Sequence, residues 1–277
     1  MLARGKASRY SARMMRIASW NVNSIAARLP RLLAWLAALE PDVVCLQETK
    51  TRDEAFPHEA LAQAGYVALV RGEKSYNGVA ILTRADAERP TLLANTLKGV
   101  ERGGAPMDES RFLLARYRGI GIASIYVPNG RELGTEHEQY KASFYRALTK
   151  LARAACQNDK PLLLTGDFNV APRDVDVHNP DHWAKGVLYH PRMRALLQQL
   201  FDEGLVDCLP KHDARPGLYS WWDYRHLAFA KDNGLRLDLL LASPALAARS
   251  RSAGVDRHMR KGERPSDHVP VWATFQI

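Results

Sequence analysis

The chain has 277 residues, 46% hydrophobic and 25% charged, enough apolar material for a substantial core in one or two domains. No run of about eighteen apolar residues occurs, so no membrane span is expected, and a net charge of +9 favours a polyanionic partner, because Lys and Arg release counterions when they meet phosphates. Cys45, Cys156 and Cys208 form no pairing or metal pattern, and reduced thiols in a reducing cytoplasm are expected.

Residues 1–14 are basic but lack the apolar stretch and small-residue cleavage site of an export signal. They are expected as a disordered extension, with Met14 or Met15 as an alternative start and a single domain over 15–277. "RIASWN" then reads as a short strand, followed by a helix with Ser24 at its N-cap and Leu29, Leu32, Leu33, Leu36 and Leu39 at helical spacing. "PDVVCLQE", "NGVAILT" and "GIASIYVPNG" are apolar strands bounded by turn residues. "EHEQYKASFYRALTKLARAACQ" is the clearest helix, with Tyr140, Phe144, Leu148 and Leu151 on one stripe. "PLLLTGD" is the next strand, "PRMRALLQQLFDEG" a helix closed by Gly204, and "LRLDLLLA" and "VPVWATFQI" are late strands. No repeat or linker divides the chain. Strand–helix–strand units mixed with consecutive strands point to an α/β protein with mixed sheets. Segments near 99–111, 171–189 and 207–234 lack periodicity, and loops that long in one domain usually bind something.

Polar residues recur where strands end. Asn21 ends the first, Glu48 the second, Asp167 and Asn169 a middle one, Asp238 interrupts "LRLDLLLA", and Asp267 and His268 precede the last. Strand ends that point one way gather into one site, and residues two apart on a strand share a face, which lets Asp167 and Asn169 reach one substrate. The mixture suits phosphodiester hydrolysis. A hard cation such as Mg2+ takes oxygen ligands and is held by one or two carboxylates. Glu48 fits as its ligand, with Asn21 and Asp267 nearby, Asp167 fits a base that aims water, and Asn169 and an imidazolium at His268, paired to Asp238, fit donors to the phosphate. Any one Asn or Asp at a strand end is more often a turn or cap. Several together outweigh that reading, because buried acids without a metal or partner are unfavourable.

With those residues in hand, the chain resembles the exonuclease III family of AP endonucleases, within the endonuclease/exonuclease/phosphatase superfamily. The resemblance runs from Met15 to Ile277 and rests on "RIASWNVNSIAAR", "PDVVCLQETK", "YNGVAILT", "YVPNG", "LLLTGDFNVAP", "YSWWDYR", "LRLDLLLAS" and "PSDHVPVWA" in family order. It implies a four-layer DNase I-like sandwich, two mixed β-sheets flanked by helices, with the site at one end. It also implies a metal site of Glu48 with Asn21, Asp167, Asn169 and Asp267, Mg2+ or Mn2+ being the ion, and a phosphate contact from Tyr126. By the same resemblance Asp167 activates water, Asn169 orients the phosphate and His268, held by Asp238, stabilises it. Trp221 and Trp222 lie where aromatic side chains line the pocket for an extruded abasic sugar, and core packing is the other reading of Trp222. Asn23, Lys50, Arg111 and Arg225 are candidate DNA contacts.

The implied activity is cleavage of duplex DNA 5′ to abasic sites in base excision repair, with 3′-to-5′ exonuclease and 3′-end-cleaning activity, by a monomer. The alternatives are another phosphoesterase of the superfamily and a catalytically silent DNA-binding scaffold. Two departures bear on relative activities: Leu235 stands where many relatives carry Trp, and Ser110 where relatives often carry Gly. "DVDVH", Asp174 to His178, looks like a metal cluster, but loop hydrogen bonds are the expected use of those residues.

Overall fold

The computed structural model describes residues 13–277, so the expected extension lies, through residue 12, outside the described residues. Strand β1 (Met14–Asn21) begins one residue before the expected domain start and leads through α1 (Ile25–Leu39) to β2 (Val43–Gln47). Helix α2 (His58–Gln63), β3 (Tyr66–Arg71), β4 (Val79–Arg84) and β5 (Thr91–Ala94) follow. A small hairpin of β6 (Glu101–Arg102) and β7 (Ala105–Pro106) precedes β8 (Phe112–Tyr117) and β9 (Ile120–Tyr126). Next come α3 (Glu136–Gln157), β10 (Leu162–Asp167), α4 (Pro180–Trp183), α5 (Pro191–Asp202), β11 (Val206–Asp207) and α6 (Cys208–His212). The chain closes with β12 (Asp238–Ala242), α7 (Pro244–Ala247), β13 (Ser250–Val255) and β14 (Val271–Gln276). Among the described residues no helix is long and apolar enough to cross a membrane.

These strands form two six-stranded mixed sheets, ordered β13-β14-β1-β2-β4-β3 and β11-β12-β10-β9-β8-β5. Alternation along each strand explains why they stack. In β10, Leu163 joins Ile17, Cys45, Ile81 and Phe275 of the other sheet in the layer between the two, while Leu162 and Leu164 face α3 and α5. In the first sheet Trp20, Val44, Leu46 and Leu82 face outward onto Ile25, Leu32, Trp35 and Leu36 of α1. Helix, sheet, sheet and helix are thus the four layers, and the expected architecture is borne out.

Local expectations fared unevenly. Helix α3 spans the residues read from its periodicity, and Thr135 caps it by accepting from the Glu138 amide. Ser24 stands at the start of α1, but its hydroxyl makes no cap bond: with φ 88° its backbone follows the turn out of β1 and the side chain misses the helix amides. The three aperiodic segments are mostly irregular, with the β6–β7 hairpin, a 3-10 turn at Asp174–Asp176, α4 and α6 inside them.

Candidate active site

Register places the site. Asp167, the last residue of β10, lies abreast of Tyr126 on parallel β9 and of Asp238 on antiparallel β12. In the other sheet, Asn21 at the end of β1 lies abreast of Gln47, and Glu48 follows. Both sheets therefore end their strands at one edge of the sandwich. The 266–268 turn before β14 closes the gap, tied down by Ser266 Oγ donating to the Asn21 carbonyl (2.7 Å) and Trp20 Nε1 donating to the His268 carbonyl (3.1 Å).

Asn21 Nδ2 donates to Glu48 Oε1 (2.8 Å) and to Asp167 Oδ2 (3.1 Å), so one carboxamide spans the two sheets and holds two carboxylates together. His268 Nδ1 meets Asp238 Oδ2 at 2.8 Å, and its Nε2 points to Asp167 Oδ2 at 3.7 Å. One ligand atom each of Glu48, Asp167 and His268 lies within 4.8 Å of the others. Asp267 stands outside that trio and accepts from Asn23 Nδ2 (2.9 Å) and Trp221 Nε1 (3.1 Å). Glu48 also pairs with Lys50 (2.8 Å), whose ammonium donates to Asn23 Oδ1 as well. Glu48, Asn23, Lys50 and Asn169 all have φ between 43° and 52°, the left-handed region that ordinary residues rarely adopt and that gathers at functional sites.

Burial sets the protonation behaviour. It raises the Asp167 carboxyl to about 7, with the charges of Asp238 and Glu48 adding to the rise and His268 opposing it. Burial alone would lower His268, but the charges of Asp238 and Asp167 outweigh it and raise the imidazole to about 10. Burial, then the Glu48 charge, drives the Tyr126 phenol well above its usual range, so it stays a neutral hydroxyl. Asp267 is held below the ordinary carboxylate value: burial works against this, and the His268 charge with the Asn23 and Trp221 donors prevails.

The donor set fits a hard divalent cation. It offers the carboxylate oxygens of Glu48 and Asp167, a trio of convergent ligand atoms with His268, and a buried Asp238 Oδ1 without a protein partner. Glu48 and Asp167 are the side chains whose oxygens converge on the place such an ion would take, with Asn21, Asn169 and Asp267 around them.

Two sequence expectations change. Asn169 does not share a strand face with Asp167, because the strand stops first. The Asp167 carboxylate turns the chain by accepting from the Asn169 amide (2.9 Å), and Asn169 Nδ2 then returns to Asp167 Oδ2 (3.2 Å). Trp222 is no DNA contact: it is fully buried behind α1, and its Nε1 donates to Asp232. Trp221 alone faces a cavity of about 500 Å3, shared with His182, Trp183 and Arg225. Arg111 lines a cavity of about 230 Å3 together with Glu48, Lys50 and Tyr126, its guanidinium 4.6 Å above the Tyr126 ring and its Nε on Glu109 at 2.5 Å. Arg225 is exposed and pairs with Asp223 at 2.7 Å.

The DVDVH residues are used by the protein itself: Asp176 is buried between Arg236 and Arg173, Asp174 accepts from Tyr189, and His178 meets the Gly234 carbonyl. Leu235, at the departure from relatives, is buried and bridges to Trp221, while the Ser110 hydroxyl donates to the Gly72 carbonyl (3.1 Å). Sequence reading missed Asn129, whose Nδ2 donates to Asn169 Oδ1 (3.1 Å), and Lys141, buried in α3. The signal for Lys141 was its place one turn before Tyr145 on a buried stripe.

A family described as Endonuclease/Exonuclease/phosphatase matches residues 18–268. Exodeoxyribonuclease III of Haemophilus influenzae is 33% identical over 95% of this chain and all of its own length. The DNA repair nuclease APEX1 of Danio rerio is 30% identical over 93% of this chain and 81% of its own. Among solved structures, a 3′-5′ exonuclease (NExo) from Neisseria meningitidis superposes with TM-score 0.87 at 36% identity, and an AP endonuclease from Archaeoglobus fulgidus with 0.86 at 34%. Each pair covers 95% of this chain and all of the other.

Proposed function

The chain belongs to the endonuclease/exonuclease/phosphatase family, and on that premise we propose that it is a divalent-metal-dependent phosphodiesterase of duplex DNA. It cuts 5′ to abasic sites in base excision repair, leaving a 3′-hydroxyl, and also removes nucleotides and blocking groups from 3′ ends. The observation that carries this reading is the convergence of Glu48, Asp167 and His268 at the shared strand ends. Relatives named as exodeoxyribonuclease III and AP endonuclease support it.

Mg2+, with Mn2+ as substitute, would sit on Glu48 with Asn21, Asp167, Asn169 and Asp267 near, and would supply positive charge to the phosphate oxygens. Asp167 aims a water at phosphorus and takes its proton. Asn169 Nδ2 and the His268 imidazolium donate to the non-bridging oxygens as charge builds on them. Tyr126, kept neutral, donates to the phosphate or to the departing O3′. Trp221 walls the pocket beside Asp267, where an extruded sugar without its base loses little stacking, and Asn23, Lys50 and Arg225 edge the DNA path. A monomer in the cytoplasm completes the reading.

The 3′-end activities gain weight from a particular feature. Leu235 leaves the pocket wall to Trp183 and Trp221, whose rings meet edge to face at 6.0 Å, and neighbouring structures from Neisseria are described as a 3′-5′ exonuclease and a 3′ phosphatase. A labelled duplex with one tetrahydrofuran abasic analogue, incubated in Mg2+, in EDTA, and beside an intact duplex, tests both. Incision at the lesion only with metal is expected, and shortening of the intact strand from its 3′ end measures the exonuclease. No cleavage of either duplex with DNA binding retained would overturn the reading.

A further inference from the structure

Helix α3 carries a fully buried lysine. The Lys141 ammonium donates to the carbonyls of Asn129 (2.9 Å), Asn169 (2.7 Å) and Val187 (2.9 Å). An ammonium has three N–H donors and no acceptor, so three carbonyls complete its needs. These carbonyls come from three separate segments: the turn after β9, the turn after β10, and the end of the long 171–189 segment. The first two hold Asn129 and Asn169, whose carboxamides are bonded to each other, and Asn169 in turn touches both oxygens of Asp167. One turn along α3, Tyr145 donates to the Phe168 carbonyl at 2.7 Å, so the helix grips the same turn twice.

The approach is built closely. Gly130 has φ +88°, and a Cβ there would lie 2.8 Å from Lys141 Cδ, so the turn after β9 is shaped around the lysine stem. Desolvating an ammonium is costly, and no part of the hydrolytic step uses this one. A methionine would fill the stem's volume without that cost.

We infer that Lys141 is a positioning residue for phosphodiester hydrolysis: its ammonium locks the left-handed turn at Asn169, and with it the Asn169 carboxamide, against Asp167. This inference rests on the proposed reaction. It predicts that loss of the ammonium slows the chemical step while leaving DNA binding in place, because the lysine lies beneath the site and touches no path for the nucleic acid.

The test is single-turnover cleavage of the abasic-analogue duplex in Mg2+ at saturating protein, with KM measured separately. The wild-type chain comes first: if it does not cut, the proposed function falls and the positioning role falls with it, an outcome distinct from a variant that cuts as fast as the wild type. If the wild type cuts, folded Lys141→Met is expected to lose about 10- to 100-fold in kcat, the usual effect of removing a group that orients an active-site side chain, with KM within about threefold.

Asn169→Ala supplies the control. In that background Lys141→Met should cost less than about threefold, because the group that the lysine positions is already gone. Lys141 is a structural residue only if folded Lys141→Met keeps wild-type kcat, or if its cost is the same with and without Asn169. Should Lys141→Met fail to fold, Lys141→Arg carries the test. Its planar fork keeps a cation but cannot point three donors tetrahedrally, so a folded Lys141→Arg with reduced kcat supports positioning. Full activity of that variant, or collapse of both, overturns it.

Discussion

At Asp167 a single side chain joins every part of the site: it accepts from Asn21 across the sheets, turns the chain for Asn169, and faces His268. Replacing it by Asn keeps the shape and most of the hydrogen bonds but removes the proton acceptor. Asp167→Asn is therefore expected to slow cleavage by about a thousandfold with DNA affinity within a few-fold, read by single-turnover cleavage and a gel-shift titration. Activity near wild type would remove Asp167 as the base. The tryptophan pair separates in the same way. Neighbours in an extended segment face opposite sides, so only one of Trp221 and Trp222 can line the pocket, and spacing alone does not say which. Trp222→Ala should cost about 3–5 kcal/mol of stability, measured by urea unfolding. Trp221→Ala should instead weaken incision at the abasic analogue more than exonuclease activity on intact duplex, and stay nearly as stable as the wild type.

The elements that carry the site were legible because they are simple: buried runs that end in an acid, and one long amphipathic helix. Those that escaped are edge strands and the internal β8, whose Phe-Leu-Leu-Ala-Arg-Tyr run shows no alternation. β13 reads Ser-Arg-Ser-Ala-Gly-Val and β5 is mostly exposed, so neither shows alternation. The substrate-side segment escaped for another reason. Its order depends on Asp176, buried between Arg173 and Arg236, while Arg236 also meets Asp207 at 2.6 Å. The Asp176–Arg236 and Asp207–Arg236 pairs join residues 60 and 29 apart in sequence, and no local pattern reports them. Without Asp176, Arg236 keeps Asp207 but loses the partner of its Nε and Nη2 donors, and leaving buried donors unpaired is far costlier than never having built the pair. Asp176→Ala should destabilise the protein by about 3–5 kcal/mol. Because Arg236 precedes Asp238 by two residues, His268 should also lose its fixed partner, so urea unfolding and cleavage rate should fall together. A stable variant with a slow reaction would show that this network serves the site alone.

Across the whole molecule, the two sheets meet mostly through apolar side chains, joined by Gln47, which accepts from Ser19 of its own sheet and donates to Ser124 of the other. At the active edge they are joined by His268 from the segment before β14, which pairs with Asp238 and faces Asp167 of the other sheet. This polar seam makes the stability of the sandwich depend on pH. The folded state raises His268 from 6.5 to about 10, so it binds a proton that the unfolded chain gives up between those values. The native state is then favoured fully below pH 6.5, and the advantage drains away as pH rises through about 10. Asp167 acts in the same direction at lower pH: with its carboxyl raised from 3.8 to about 7, the folded state again holds the extra proton, and stability falls as pH rises across that window. Urea unfolding in EDTA should therefore show a steady loss of stability from about pH 5 to about pH 10. His268→Gln should be less stable than the wild type near pH 6, and the gap should close towards about pH 10, where the imidazole is losing its charge in the folded state too. A gap that stays constant over that range would mean that His268 contributes by shape and packing, and that the charge joining the two sheets resides elsewhere.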